Sequence, residues 1–320
     1  MSLLRQTFER IRPLVDDVYV ITERAQTHRI LNVLPEIGAD HVIAEPAARG
    51  TTSALGLAAM TLAERDPDAI MLSVPADHII GDGRRFKQTM RRVVRLARLS
   101  SQLVTVGLTP YYPATGFGYI KADGKIRFGR TTGLVVTEFI EKPNADRASS
   151  LVDGGGYYWN LAMFCWRVET LIEELRLHAP AHHDGLRAVL AQRSAGDDEK
   201  ADALYDELPR DPIDYAVMER TERLLLIPAR FHWIDVGSWS ELHAILPKDT
   251  AGNAVAGKHF LIDSQSSLFD VPGKLVAAIG VKDLVVVESG DALLVCQKSR
   301  AQEVKALVEQ LRAGALGAYA

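Results

Sequence analysis

The chain is poor in cysteine, in net charge and in long apolar runs, and each shortage removes a class of protein. Two cysteines occur in 320 residues, Cys165 and Cys296, both inside apolar, strand-like runs. That is too few for a disulfide scaffold and reads as two buried free thiols, the state a reducing cytoplasm maintains. A net charge of only −4 gives no bulk field to draw the chain to nucleic acid or an anionic membrane. No apolar run reaches the roughly 20 residues needed to cross a bilayer. The opening MSLLRQTFERIRPL carries charges inside its apolar pattern and no cleavage-type site, so no secretory signal is expected. Internal repeats, low-complexity tracts and blocks of one charge are absent. Three site motifs are missing too: no G-x-G-x-x-G opens a helix after a strand, and neither G-x-x-x-x-G-K-[ST] nor G-x-S-x-G occurs. A nicotinamide-type dinucleotide site therefore lacks its phosphate loop.

What is present is an ordinary globular composition, 47% hydrophobic and 24% charged, long enough for one large domain or two. The first two-thirds alternates apolar runs with helical patterns. VYVIT (18–22), HVIAE (41–45), AIMLSV and LVTVGL (103–108) read as strands, with helices over 51–66 and RRFKQTMRRVVRLARL between them. Such alternation predicts βαβ units and an α/β fold, a Rossmann-like mixed, mostly parallel sheet. GFGYIKAD, KIRFGR and GLVVTEFIEKP then read as shorter alternating strands joined by Gly-rich turns. Helical patterns return from Val168 to Leu208 and around DYAVMER and SWSELHAIL. From Gly252 short strands recur with Gly, Asp and Ser turns, predicting a small all-β unit closed by the helix AQEVKALVEQL. The boundary is placed in LPKDTAG, giving domains 1–248 and 249–320.

Open α/β sheets bind ligands at the carboxyl ends of their parallel strands. Three such ends are polar: Glu45, Asp77 in VPADHII, and Asp235 in FHWIDVGSW. Glu45 leads through a Gly-containing loop into a helix N-terminus, where exposed N–H groups favour an anion; a plain turn reads equally well. Asp77 and Asp235 suit Mg²⁺, which takes one or two carboxylates plus substrate phosphates. Either acid also suits a turn or a helix cap, Asp235 before Ser238 for instance. FIEKPN ends a strand on Glu141, a hydroxyl-binding type, and Lys142, a phosphate-binding type; a charged strand end before a proline turn is the local alternative. Asn160 is an amide inside the apolar run YYWNLAMFCW and needs partners, from the backbone or from a ligand. His178, His182, His183 and Asp184 lie close together, but Pro180 interrupts their helical spacing and no second ligand cluster is evident.

Taken in order, EPAARGTTSA, VPADHII, GFGYI, FIEKP, WNLAMF, PIDYAVMER and WIDVGSW resemble the mannose-1-phosphate guanylyltransferases, and GVKDLVVVESGDALLVCQKSRAQEVKALVEQL resembles that family's small β domain and terminal helix. The resemblance covers essentially the whole chain. It implies a nucleotidyltransferase fold and a reaction in which mannose 1-phosphate attacks the α-phosphorus of GTP, giving GDP-mannose and pyrophosphate. It further implies Asp77 and Asp235 as Mg²⁺ ligands and Lys142 on the sugar phosphate. Glu141 and Asn160 would sit on mannose hydroxyls, and Gly118 where the sugar approaches the backbone. Glu45, Arg49 and Thr51 fall on the nucleotide side. A cytoplasmic homodimer is expected. The family's loop G-G-x-G-x-R-L-x-P has no counterpart in these 320 residues, which open on the stretch Ser2–Thr7. Leu161 and Ala162 stand where a small polar residue and a glycine are usual. The expectation is therefore little transferase activity from this chain by itself; a catalytically inactive, sugar-nucleotide-binding homologue or regulatory subunit is the alternative.

Overall fold

The computed structural model of the chain describes residues 2–237, 239–314 and 316–319. Two compact units emerge, Met1–His232 and Trp233–Ala320. In the first, α1 (Leu3–Ile11) is capped by the Ser2 hydroxyl, which accepts from Arg5 N–H, and gives way to a 3-10 turn at Arg12–Leu14, where Pro13 cannot continue the helix. β1 (Val20–Glu23), α2 (Thr27–Val33) and β2 (Val42–Glu45) follow, the two strands pairing parallel. Next come α3 (Gly50–Arg65), β3 (Ile70–Ser73), the short β4 (His78–Ile80) and α4 (Gly83–Ser100), capped by the Asp82 carboxylate. β5 (Leu103–Leu108) leads to an antiparallel pair, β6 (Tyr119–Phe128) and β7 (Thr131–Ile140). α5 (Ala145–Gly154), β8 (Tyr157–Arg167), α6 (Val168–His178), α7 (Pro180–Ser194) and α8 (Asp198–Asp206) lead to a π-helical turn, Asp214–Met218, and β9 (Leu224–Pro228).

These strands build a six-stranded mixed sheet in the order β3-β8-β5-β9-β7-β6, with β6 also pairing β8. β5 and β9 run parallel, while β3 and β5 both lie antiparallel to β8. β5 is buried from Leu103 through Gly107, in keeping with its near-continuous apolar sequence in a strand covered on both faces. One local expectation changes. GFGYIKAD and KIRFGR are not two strands but one, β6; Asp123-Gly124 does not turn the chain. Gly124 takes φ +71° and the β6–β7 register shifts between Asp123 and Lys125, so the pair forms a bulge within a continuing ladder.

β1 and β3 frame a second feature. β1 pairs only with β2, and β3 is the edge of the six-stranded sheet; among the described residues neither outer edge has a ladder partner. Between them lies a cavity of about 820 Å³ lined by Val20, Ile21, Met71 and Leu72, with Phe8 of α1 and Leu62 of α3.

The second unit holds β10 (Trp233–Asp235), α9 (Trp239–Ile245), β11 (Ala254–Ala256), β12 (His259–Ile262), β13 (Leu268–Asp270), β14 (Val276–Ile279), β15 (Leu284–Ser289), β16 (Ala292–Gln297) and α10 (Val304–Ala313). β11, β13 and β15 stack parallel, as do β12 and β14, and β16 returns antiparallel on β15. In these two parallel stacks each strand sits above its equivalent one coil away. Ala254, Leu268, Val285 and Val287 fill the interior, with Trp239 and Leu242 packed on them. Buried Asn253 ties successive coils, donating to the Ser264 carbonyl (2.8 Å) and accepting from Ser267 N–H (3.1 Å). By compactness the stretch 233–248 belongs to this unit, whereas the pattern of the sequence places it with the first. The helix start at Ser238 lies outside the described residues.

Cys165 is buried in β8 and Cys296 half-buried in β16, both as free thiols. Burial raises the thiol pKa of each, Cys165 the more. Titration with an aromatic disulfide reagent at pH 8 should modify Cys296 slowly and Cys165 not at all in the folded chain, and both at once in guanidinium chloride; prompt reaction of two thiols in buffer would contradict this packing.

Candidate active site

Three strand segments of the first unit bring Gly118, Glu141 and Asn160 together. Gly118 immediately precedes β6, Glu141 follows β7, and Asn160 lies on β8. The Asn160 N–H donates to the Gly118 carbonyl (2.8 Å). A Cβ at position 118 would fall 2.4 Å from Glu141 Oε2 and 3.2 Å from Asn160 Cβ, so only glycine leaves the Glu141 carboxylate where it is. That side chain is 7% exposed, and its Oε2 has no hydrogen-bond partner. A buried carboxylate oxygen without a donor is costly, and it is the acceptor that a ligand hydroxyl would satisfy. Burial first, and the nearby Asp214 carboxylate second, raise the Glu141 pKa to about 7, against the Lys142 ammonium, which lowers it. Lys142 Nζ stands 3.3 Å from Glu141 Oε1 and is half exposed, the place for a cation that meets a phosphate from solvent.

Asn160 is held on every side but one. Its Oδ1 accepts from Ala162 N–H (3.1 Å) and its Nδ2 donates to Asp214 Oδ1 (2.8 Å). One Nδ2 proton is left for a further acceptor. The β5–β8 register slips between Thr105 and Gly107, and Ala162 takes φ +50°. This is a bulge in β8, and an L-residue in that conformation is strained. Lys142, also left-handed at φ +46°, stores similar strain beside it.

Two carboxylates here escaped sequence reasoning. Asp214 partners Asn160, and Glu219 Oε1 accepts the Glu141 N–H (2.8 Å). The signal was two acids five residues apart in PIDYAVMER; nothing local showed that this stretch adopts a π-turn facing two strands.

The nucleotide-side candidates are brought together as well, but by internal bonds. Glu45 is buried, its Oε1 accepting from Tyr205 hydroxyl (2.5 Å), and burial raises its pKa. Arg49 Nη2 reaches Asp206 Oδ1 (3.4 Å), and Thr51 hydroxyl accepts from Ile213 N–H (2.9 Å). The N-terminal turn of α3 is partly satisfied by the chain itself, since Thr52 N–H donates to the Asp211 carbonyl (3.2 Å). Gly50, at φ +81°, permits this approach; a Cβ there would lie 2.7 Å from the same carbonyl oxygen.

Asp77 is exposed beyond the end of β3. Its neighbour His78 is buried, and burial lowers that imidazole to about pKa 4; it is neutral at pH 7 and supplies no cation for a phosphate. Asp235 ends β10 in the second unit. Among the described residues no three His, Cys, Asp or Glu side chains cluster as a metal cage. Mg²⁺ arriving with phosphates needs no such cage, only one or two carboxylates, and an exposed strand-end carboxylate such as Asp77 fits that use. The histidine cluster dissolves: His178 pairs with Glu174, His182 with the Pro209 carbonyl and His183 with Asp184.

The raised Glu141 pKa has a signed consequence. The folded state binds this proton more tightly than the unfolded chain, so the stabilisation is complete below pH 4.5 and is lost as pH rises through 7. The loss is at most about 3.4 kcal/mol at 1.36 kcal/mol per pH unit. Urea unfolding at pH 5 and pH 8 should show Glu141→Gln removing part of the fall in stability between them; an unchanged slope would place the carboxylate in solvent. Separately, Ala162→Gly should raise stability by about 0.5–1 kcal/mol by relieving a left-handed alanine, read as a higher melting temperature. A drop would mean that the bulge is unstrained.

Residues 1–252 match the model of the Nucleotidyl transferase family, and residues 257–311 match that of the MannoseP isomerase/GMP-like beta-helix domain. The mannose-1-phosphate guanylyltransferase of Escherichia coli is 34% identical over 316 residues, covering 97% of this chain and 67% of that protein. The alginate biosynthesis protein AlgA of Pseudomonas aeruginosa is 38% identical over 274 residues, 85% of this chain and 56% of its own length. The chain thus spans between about half and two-thirds of these curated relatives. A solved structure described as mannose-1-phosphate geranyltransferase from Thermus thermophilus superposes with a TM-score of 0.83 at 32% identity, covering 98% of this chain and 90% of the other. By these matches the chain belongs to the nucleotidyl transferase family, with the mannose-1-phosphate guanylyltransferases.

Proposed function

We propose that the chain is the nucleotidyltransferase portion of a mannose-1-phosphate guanylyltransferase, transferring GMP from GTP to mannose 1-phosphate. A phosphate oxygen of the sugar phosphate attacks the α-phosphorus of GTP, the bond from that phosphorus to the bridging oxygen breaks, and pyrophosphate leaves as GDP-mannose forms. Such displacement asks a protein for positioning and charge neutralisation more than for covalent chemistry. The observation that carries the reading is the buried Glu141 carboxylate over Gly118, with an unpartnered oxygen and an ammonium alongside. It is a receptor for a hydroxylated ligand that carries a phosphate. In this reading Glu141 and the remaining Asn160 proton take mannose hydroxyls, and Lys142 takes the sugar phosphate. Glu45, Arg49 and Thr51 face the nucleotide, with Tyr205 and Asp206 giving up or sharing their contacts. Asp77 and Asp235 are the proposed Mg²⁺ ligands. Bound Mg²⁺ supplies Lewis-acid neutralisation of phosphate charge.

A second reading is favoured by the open edges of β1 and β3. Asp77 lies just beyond β3, and a β3 lacking a neighbour on one side is less firmly placed. The 320 residues by themselves would then bind sugar nucleotide and turn over slowly. The homodimer belongs to the same proposal and draws support from the exposed apolar row Phe260, Ile262 and Ile279 on β12 and β14.

Calorimetric titration with GDP-mannose and Mg²⁺ tests the reading. Binding should depend on the metal, and Asp77→Ala and Asp235→Ala should each lose that dependence. Gly118→Ala should weaken binding at least ten-fold by displacing Glu141. No binding by the wild-type chain would overturn the assignment.

A further inference from the structure

The stretch PIDYAVMER does more than resemble a family motif. Asp211 approaches α3 closely: its carbonyl accepts from both the N–H (3.2 Å) and the hydroxyl (2.6 Å) of Thr52. Two residues on, Ile213 N–H donates to the Thr51 hydroxyl. The chain then enters the π-turn, a rare geometry that is found disproportionately at functional sites. The turn is anchored from below, since Ala216, Val217 and Met218 are all buried in the main core. Its two ends each carry a carboxylate. Asp214 Oδ1 accepts from the Asn160 amide, and Glu219 Oε1 accepts from the Glu141 main chain.

We propose that the segment from Asp211 to Glu219 is a positioning strap for the substrate site, in which Asp214 sets the orientation of the Asn160 amide and Glu219 fixes the main chain of Glu141. The argument rests on the sugar-side reading of Glu141 and Asn160 given above. An Asn amide has two orientations of nearly equal shape but opposite hydrogen-bonding sense. Here the Ala162 N–H requires Oδ1 on one side and the Asp214 oxygen requires Nδ2 on the other, so a single orientation survives and one donor is presented. Glu141 follows the last residue of β7, where no ladder partner holds its N–H; Glu219 supplies that partner and thereby fixes where the unpartnered Oε2 points. The same segment is bonded to Thr51 and Thr52 at the N-terminal turn of α3. One continuous piece of chain thus touches residues assigned to the sugar and residues assigned to the nucleotide. Asp214 and Glu219 are positioning residues, not catalytic ones.

The test compares truncation with isosteric replacement and uses two readouts. Amide hydrogen exchange of Glu141 should accelerate at least ten-fold in Glu219→Ala and stay near wild type in Glu219→Gln, whose side-chain oxygen can still accept. Mannose 1-phosphate affinity should fall about ten-fold in Asp214→Ala and in Glu219→Ala, GTP affinity should change less than two-fold, and Asp214→Asn and Glu219→Gln should recover most of the loss. Equal loss in the alanine and amide variants would overturn the positioning role, because it would require the charge itself. Faster exchange with unchanged sugar-phosphate affinity would overturn it too, leaving a purely structural bond. A wild-type chain that binds GTP but no mannose 1-phosphate would overturn the sugar-side reading instead, and this inference with it.

Discussion

The site depends on how the Asn160 side chain is paired. Asn160 sits where β8 slips register against β5, and its Oδ1 takes the N–H of Ala162 that the bulge turns inward. Its Nδ2 then has to face Asp214. Without that pair of bonds an amide and a backbone N–H would be buried unsatisfied, at a cost of roughly 1–3 kcal/mol each, and the bulge would have no reason to hold an alanine at positive φ. With it, β8 can present one polar group at a fixed angle while remaining part of the core on either side, Trp159 and Leu161 both being fully buried. The geometry around Gly118 and Glu141 follows, because the Gly118 carbonyl is bonded to the Asn160 main chain.

The cavity between β1 and β3, about 820 Å³, is lined largely by apolar side chains and by the edges of strands. Its charged lining residues, Asp16, Asp17, Arg65, Asp66, Asp68, Arg98 and Arg167, accompany a mostly apolar wall. The Glu141 site gathers polar groups instead, with a carboxylate shifted to about pKa 7 by burial and by a second acid. Perturbed titration with an unpartnered oxygen marks function better than volume does. His78 makes the same point in reverse: it stands next to Asp77, yet its burial removes the charge that would have made it useful to a phosphate.

Much of this was legible from sequence, and the rest was hidden for identifiable reasons. β5 is legible at its observed bounds because LVTVGL is a nearly continuous apolar run, broken only by Thr105 and Gly107. Gly118, Glu141 and Asn160 stood out as polar or small residues at strand ends, but their convergence depends on pairing among β6, β7 and β8, which no local pattern encodes. Asp123-Gly124 has the chemistry of a hairpin turn and became a bulge, because the β6–β7 ladder continued through it. The strands after Gly252 were visible, whereas their parallel stacking was not, since alternation alone does not distinguish a coil from a hairpin. Glu45 was legible as a strand end; that Tyr205 hydroxyl bonds it depends on a helix 160 residues away.

The most direct test of the account is a crystal structure of the chain with GDP-mannose and Mg²⁺. The account predicts a mannose hydroxyl within hydrogen-bond distance of Glu141 Oε2, the Asn160 amide still bonded to Asp214, and the ring lying against Gly118. A ligand seated in the cavity between β1 and β3, or a sugar that leaves Glu141 Oε2 unpaired, would contradict it.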